Sequence, residues 1–168
     1  MNNLIISNVL RFFVLILLQV LVFNSFNFLG FINPAIYILF IILFPIRRER
    51  TVVLVSSFLL GLFIDFFSNS GGVNAAAMLL IAYLRIYIIK FIHGSREYDY
   101  ALFNPRNLAI GKLISYVGIL TFIHQFTFYL LSNFTFHNFL DTLFKVIVSS
   151  IVTTILLVFS VLLFEKKK

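Results

Sequence analysis

Long apolar runs alternate with short polar breaks along the whole chain. A run near the ~20 residues needed to cross ~30 Å of hydrocarbon predicts a membrane-spanning helix. Six are expected, at about Val9–Leu29, Phe31–Ile46, Thr51–Phe67, Val73–Ile92, Leu108–Leu131 and Asp141–Phe164. The second run is short. Asn33-Pro34 opens it, with Pro34 suited to a first helical turn, and Pro45 closes it. Such a helix must thin the bilayer locally or be shielded by neighbours.

The breaks are as informative as the runs. Arg47-Arg48-Glu49-Arg50 forms a charged turn, and Ser68-Asn69-Ser70-Gly71-Gly72 a glycine-rich one. A longer hydrophilic connection covers His93–Asn107, with Arg96, Glu97, Asp99 and Arg106. Ser132–Asn138 is uncharged, and Glu165-Lys166-Lys167-Lys168 forms a basic tail. The first run reads as an uncleaved helix, not a signal peptide: one basic residue, Arg11, precedes its apolar core, and no small-x-small site follows Phe23. With no internal repeat and no soluble segment, the expectation is one all-α integral membrane domain over residues 1–168.

Composition agrees. Hydrophobic residues make up 61% of 168 positions and charged ones 11%, against roughly 45–50% and 25% in soluble domains. There is no Trp, so an interfacial aromatic belt must use the 7 Tyr and 23 Phe. The net charge of +7 does not point to nucleic acid, because the basic residues sit in the gaps between apolar runs. There they report topology. With both termini in the cytoplasm, the inside segments carry Arg11, Arg47, Arg48, Arg50, Lys90, Arg96, Arg106, Lys112 and the terminal lysines. The outside loops carry only Lys145. The expected location is a bacterial inner membrane.

Polar residues inside the runs require a reason, because a bilayer penalises them. Asp65 stands near the outer end of the third helix, one turn after Gly61 on the same face. Glycine permits close helix approach, so the pair marks a face that meets protein. Asp65 is expected to lock the hairpin by accepting hydrogen bonds from the turn or from the first amides of the fourth helix; a proton or substrate carboxylate is the functional rival. Arg85 lies about 18 Å from the outer end of its helix, too deep to pair with Asp65, and is expected to snorkel inward with Lys90. His124, about 10 Å from the outer end of the fifth helix, is expected to face Asp65 or Gln19 as a packed, hydrogen-bonded residue. Small residues at Ala75-Ala76-Ala77 predict close packing. Ser149, Ser150, Thr153 and Thr154 predict hydroxyl bonds within or between helices.

Chemistry is hard to find. The chain has no cysteine, which excludes disulfides and thiol catalysis. His93, His124 and His137 fall at different depths, which argues against a metal site. No GxSxG, HExxH, P-loop or GxGxxG motif occurs, and no second carboxylate accompanies Asp65. Neither a cofactor nor catalysis is expected. Asn133-Phe134-Thr135 matches a glycosylation sequon that has meaning only in a eukaryotic secretory route.

The stretch from Asn33 to Arg85 resembles the bacterial rod shape-determining protein MreD family. Asn33-Pro34 opens a helix and a basic turn follows. Next come Gly61 and, four residues on, Asp65, then a Ser/Gly turn with Gly72, and a helix ending near Ala82-Tyr83-Leu84. Gln19 in the first helix fits too. Beyond Ile92 only hydropathy agrees. The resemblance implies a six-helix fold like that of the substrate-binding components of energy-coupling-factor transporters. It also implies a non-catalytic subunit of the cell-elongation complex, joining MreC, MreB filaments, RodA and a class B penicillin-binding protein around peptidoglycan synthesis. Gln19, Pro34, Gly61, Asp65, Gly72, Asn74, Arg85 and His124 are its structural or interaction candidates, with membrane lipid as the surrounding partner. One rival expectation is a vitamin-like small-molecule binding component using Asp65, His124 and Asn74, for which more polar groups should converge at one depth. Another is a lipid carrier, which calls for charge lining a midplane cavity.

Overall fold

A computed structural model describes residues 2–24, 33–45, 49–94, 103–133 and 139–163. Arg47, Arg48, Arg96, Glu97, Asp99, the loop after Asn133 and the lysine tail lie outside the described residues. The described chain is helical throughout, without strands. Helix α1 covers Asn2–Leu18 and continues as a π-helical turn over Gln19–Phe23. A 3-10 turn, Ile36–Ile38, leads into the short α2, Leu39–Leu43. Then follow α3 (Arg50–Ser68), α4 (Val73–His93), a 3-10 turn at Pro105–Asn107, α5 (Ile110–Asn133) and α6 (Phe139–Leu163).

Five segments are long and apolar enough to cross a membrane: Ile6–Phe23, Arg50–Ser68, Val73–Ile92, Ile110–Asn133 and Phe139–Leu163. The second run differs. Its helical part is only Ile36–Leu43, about 14 Å of rise. Pro34 does not occupy its first turn but precedes it by two residues, because Ala35 adopts φ −92°, ψ 75° and the helix starts only after it. At the other end Phe44 is extended, with ψ 134°, as the residue before a proline must be. Shielding by neighbours is how the short helix is accommodated: Ala35 to Ile42 and Phe44 are all buried.

α2 still reverses the direction of the chain between α1 and α3. Asn24, after α1, donates to Ser68 Oγ at the end of α3, 2.7 Å, so α1 and α3 finish at one end of the bundle. α2 begins there beside Gln19 and runs toward the opposite end, stopping inside the bundle beside Arg11 and Arg85. The start of α1 and the end of α6 therefore lie at the same end.

Large apolar side chains face outward. On α6, Phe144, Ile147, Ile151 and Ile155 are exposed at helical spacing, while Ser149, Thr153 and Leu157 are buried. The hydroxyls point inward and the hydrocarbon outward, as expected of a helix solvated by lipid.

Candidate functional site

Two polar clusters lie near the two ends of the short α2, which connects them. The first is built on the α3–α4 hairpin. A Cβ placed on Gly61 would lie 2.6 Å from the Ala75 Cα, so glycine alone admits the backbone of α4 this closely. That approach brings the first amides of α4 onto Asp65, which is 4% exposed. Asp65 Oδ2 accepts from Ala75 N, 2.8 Å; Oδ1 accepts from Asn74 N, 2.9 Å, Asn74 Nδ2, 2.9 Å, and Ser70 Oγ, 2.5 Å. A carboxylate facing a helix N-terminus also meets the positive end of its dipole. The turn between them needs left-handed backbone at Asn69 (φ 52°), Gly71 (φ 66°) and Gly72 (φ 93°), which glycine adopts freely.

A relay leads inward from this carboxylate. Asn74 presents its NH2 to Asp65, so its Oδ1 is free to accept from the Tyr37 hydroxyl, 2.5 Å. Tyr37 has then used its proton, and His124 Nε2, 3.0 Å away, must be the donor. His124 Nδ1 is left as a bare acceptor. It has no partner, although the residue is 1% exposed. His124 therefore reaches Asp65 only through Tyr37 and Asn74.

Gln19 acts on the start of the second element. Its Oε1 accepts from Ile36 N, 3.0 Å, and its Nε2 donates to Pro34 O, 3.1 Å, and to Asn24 Oδ1, 3.1 Å. Gln125 of α5 donates to Thr153 Oγ1, 3.2 Å. With Tyr37, Ser70, Asn74 and His124, these amides line a cavity of about 150 Å3. Two more bonds join α5 to α6, Thr121 to Thr154 at 2.6 Å and Tyr129 to Ser149 at 2.9 Å. Ser149, Thr153 and Thr154 thus bridge α6 to α5, whereas Ser160 bonds back to Leu156 O of its own helix and Ser150 Oγ has no partner.

Arg85 corrects the expectation of an inward snorkel. It is 2% exposed and turns into the bundle. Its Nη2 donates to Phe44 O, 2.5 Å, and Ile42 O, 3.4 Å, while Nε donates to Tyr116 OH, 3.0 Å. The physical reason is α2. A helix that stops inside the bundle leaves its last carbonyls unpaired, and a buried cation that meets them is more stable than a cation reaching for water through hydrocarbon. Arg50, at the start of α3, lies over the Tyr83 ring at 4.5 Å.

Asn24, Tyr37, Gln125 and Tyr116 were not singled out from the sequence. Their only signal was polarity within or beside apolar runs, which does not tell a lipid-facing position from a buried one. Among the described residues, no group of three or more His, Cys, Asp or Glu side chains is placed to hold a metal ion. Comparison with family models, curated proteins and solved structures finds no match to this chain.

Proposed function

We propose that this protein is a non-catalytic, multi-pass membrane subunit of a bacterial cell-elongation complex, as its resemblance to the MreD family suggests. The observation that supports a structural role is the saturation of Asp65. It is the one buried acid among the described residues, and both of its oxygens are engaged in holding α3 to α4. A carboxylate so engaged is poorly placed to carry protons or substrate. What the protein offers to others is its outward helix faces. Partners of the MreC, RodA and class B penicillin-binding type would be met there within the bilayer, and MreB from the basic, cytoplasmic end.

The test is depletion in the native cell with microscopy, joined to affinity capture in mild detergent. Rounded cells and co-purification of wall-elongation proteins are expected. Normal shape with capture of transporter ATPase subunits would overturn the proposal.

One observation favours the second reading, a small-molecule binding component. More polar groups converge near Asp65 than the sequence suggested, and they surround a cavity. Its volume of about 150 Å3 is below the roughly 300–1,000 Å3 usual for small-molecule sites, which places this reading behind the first.

A further inference from the structure

Near the end of α2 that Arg85 closes, two cavities share a wall. The first, about 260 Å3, lies between the start of α1, the end of α2 and the turn before α5. Arg11 and Arg106 both line it, beside Asn8 and Asn104. Among the described residues, Arg11 makes long bonds to neutral acceptors, Asn8 Oδ1 at 3.3 Å and Leu43 O at 3.4 Å. An ion pair between Asp141 and Lys145 lies at the opposite end of the bundle. Two like charges converging on one cavity, with no counter-ion among the described residues, make a site that an anion stabilises. A planar guanidinium fork matches phosphate oxygens in particular.

The second cavity is a groove of about 380 Å3 between α1 and α3, walled by Val9, Phe12, Phe13, Phe40, Phe44 and Val52. Asn8 and Phe44 line both spaces. Val9, Phe13 and Val52 are exposed, so the groove opens toward surrounding lipid. It starts beside Val52, two residues into α3, and runs from the basic end toward the middle of the bundle. A charged socket at the membrane face therefore continues into an apolar channel directed at the hydrocarbon.

We propose that the two cavities together seat one anionic phospholipid, with its phosphate between Arg11 and Arg106 and an acyl chain in the α1–α3 groove. Basic pockets at the ends of membrane helices are suited to such headgroups. The apolar groove makes a lipid, not a free anion, the fitting occupant. The inference does not depend on the cell-elongation reading.

The test is native mass spectrometry of the purified full-length protein, titrated with phosphatidylglycerol or with phosphatidylcholine of the same chains. The wild type is expected to retain phosphatidylglycerol preferentially. Replacing both Arg11→Gln and Arg106→Gln should weaken that retention roughly thirtyfold, about one surface-cation contribution for each arginine. Val52→Trp, which fills the groove from its exposed side, should weaken it as well. Lys112→Gln, an exposed cation at the same end but outside both cavities, should leave it unchanged. Should the double variant fail to extract, Arg106→Gln alone carries the test, because Arg106 stands in a surface turn. Equal retention by wild type and arginine variants would overturn the proposal, as would an equal loss with Lys112→Gln. Inorganic phosphate raising the thermal midpoint as much as phosphatidylglycerol, with no effect of Val52→Trp, would replace the lipid by a free anion.

Discussion

At one end of the bundle Asp65 accepts from Ser70, Asn74 and Ala75; deeper, where α2 stops, Arg85 donates to Ile42, Phe44 and Tyr116. Each closes a helix that ends where water is scarce. The start of α4 presents amide donors, so an anion closes it. The end of α2 presents carbonyl acceptors, so a cation does. The start of α2 follows the same rule with a neutral group, Gln19 Oε1 on Ile36 N. The charge of each buried side chain is thus set by which end of a helix it faces. The clusters differ in how they are assembled. The Asp65 cluster is mostly local, made by one turn between consecutive helices. The Arg85 cluster draws on α2, α4 and α5, and forms only when the whole bundle has closed.

That difference predicts an order of severity. Asp65→Leu leaves four donors without their acceptor and should cost about 3–5 kcal/mol. The expected readout is loss of most monodisperse protein after detergent extraction. Arg85→Met leaves two carbonyls and a phenol, and should cost less, about 2–4 kcal/mol, because carbonyls tolerate incomplete pairing better than amides do. If thermal midpoints in detergent put Arg85→Met below Asp65→Leu, the inter-helix cluster is the principal lock and the ranking is inverted.

Gly61→Ala tests whether close approach, not charge, sets the first cluster. Its Cβ would meet the α4 backbone at 2.6 Å, where no flexible side chain can yield, so a loss of about 2 kcal/mol is expected. A neutral result in the same melt would mean that the hairpin can open without losing the Asp65 bonds. Asp65→Asn is the finer probe. An amide keeps one acceptor oxygen. In the structure its nitrogen would face Ala75 N or the donors around Oδ1, which predicts about 1–2 kcal/mol. A melting curve superimposable on wild type would show that one oxygen suffices. The smallest effect is expected for Tyr37→Phe, about 1 kcal/mol, because it breaks the relay to Asn74 and His124 but leaves the hairpin intact. A larger loss, seen as a lower midpoint than that of Asp65→Asn, would make the relay the tie between α2 and the rest of the bundle.

Much of this was legible before any coordinates. Four of the runs become helices within two residues of their expected limits, and the first, expected from Val9, is helical already from Asn2, because an apolar stretch of that length in lipid can satisfy its backbone only as a helix. Gly61 and Asp65 identified their own face by one-turn spacing, and Asp65 found the acceptor role that the adjacent turn implied. These are local matters. Residues a few positions apart decide them, and the medium enforces them.

The fate of the second run, the direction of Arg85 and the partners of His124 were not legible, because each depends on surfaces far apart in sequence. Pro34 and Pro45 mark where helix is hard to form, but only the surrounding helices could supply the burial that lets Ile36–Leu43 remain so short. Arg85 had two ways to satisfy its charge, water beyond the membrane face or carbonyls within the bundle. The second existed only once α2 had ended beside it, at Phe44, 41 positions away in sequence. Hydropathy and spacing, then, determined which segments cross and which carboxylate closes the hairpin. Tertiary structure alone decided where a broken crossing leaves backbone groups unpaired, and hence where the remaining buried polar side chains had to go.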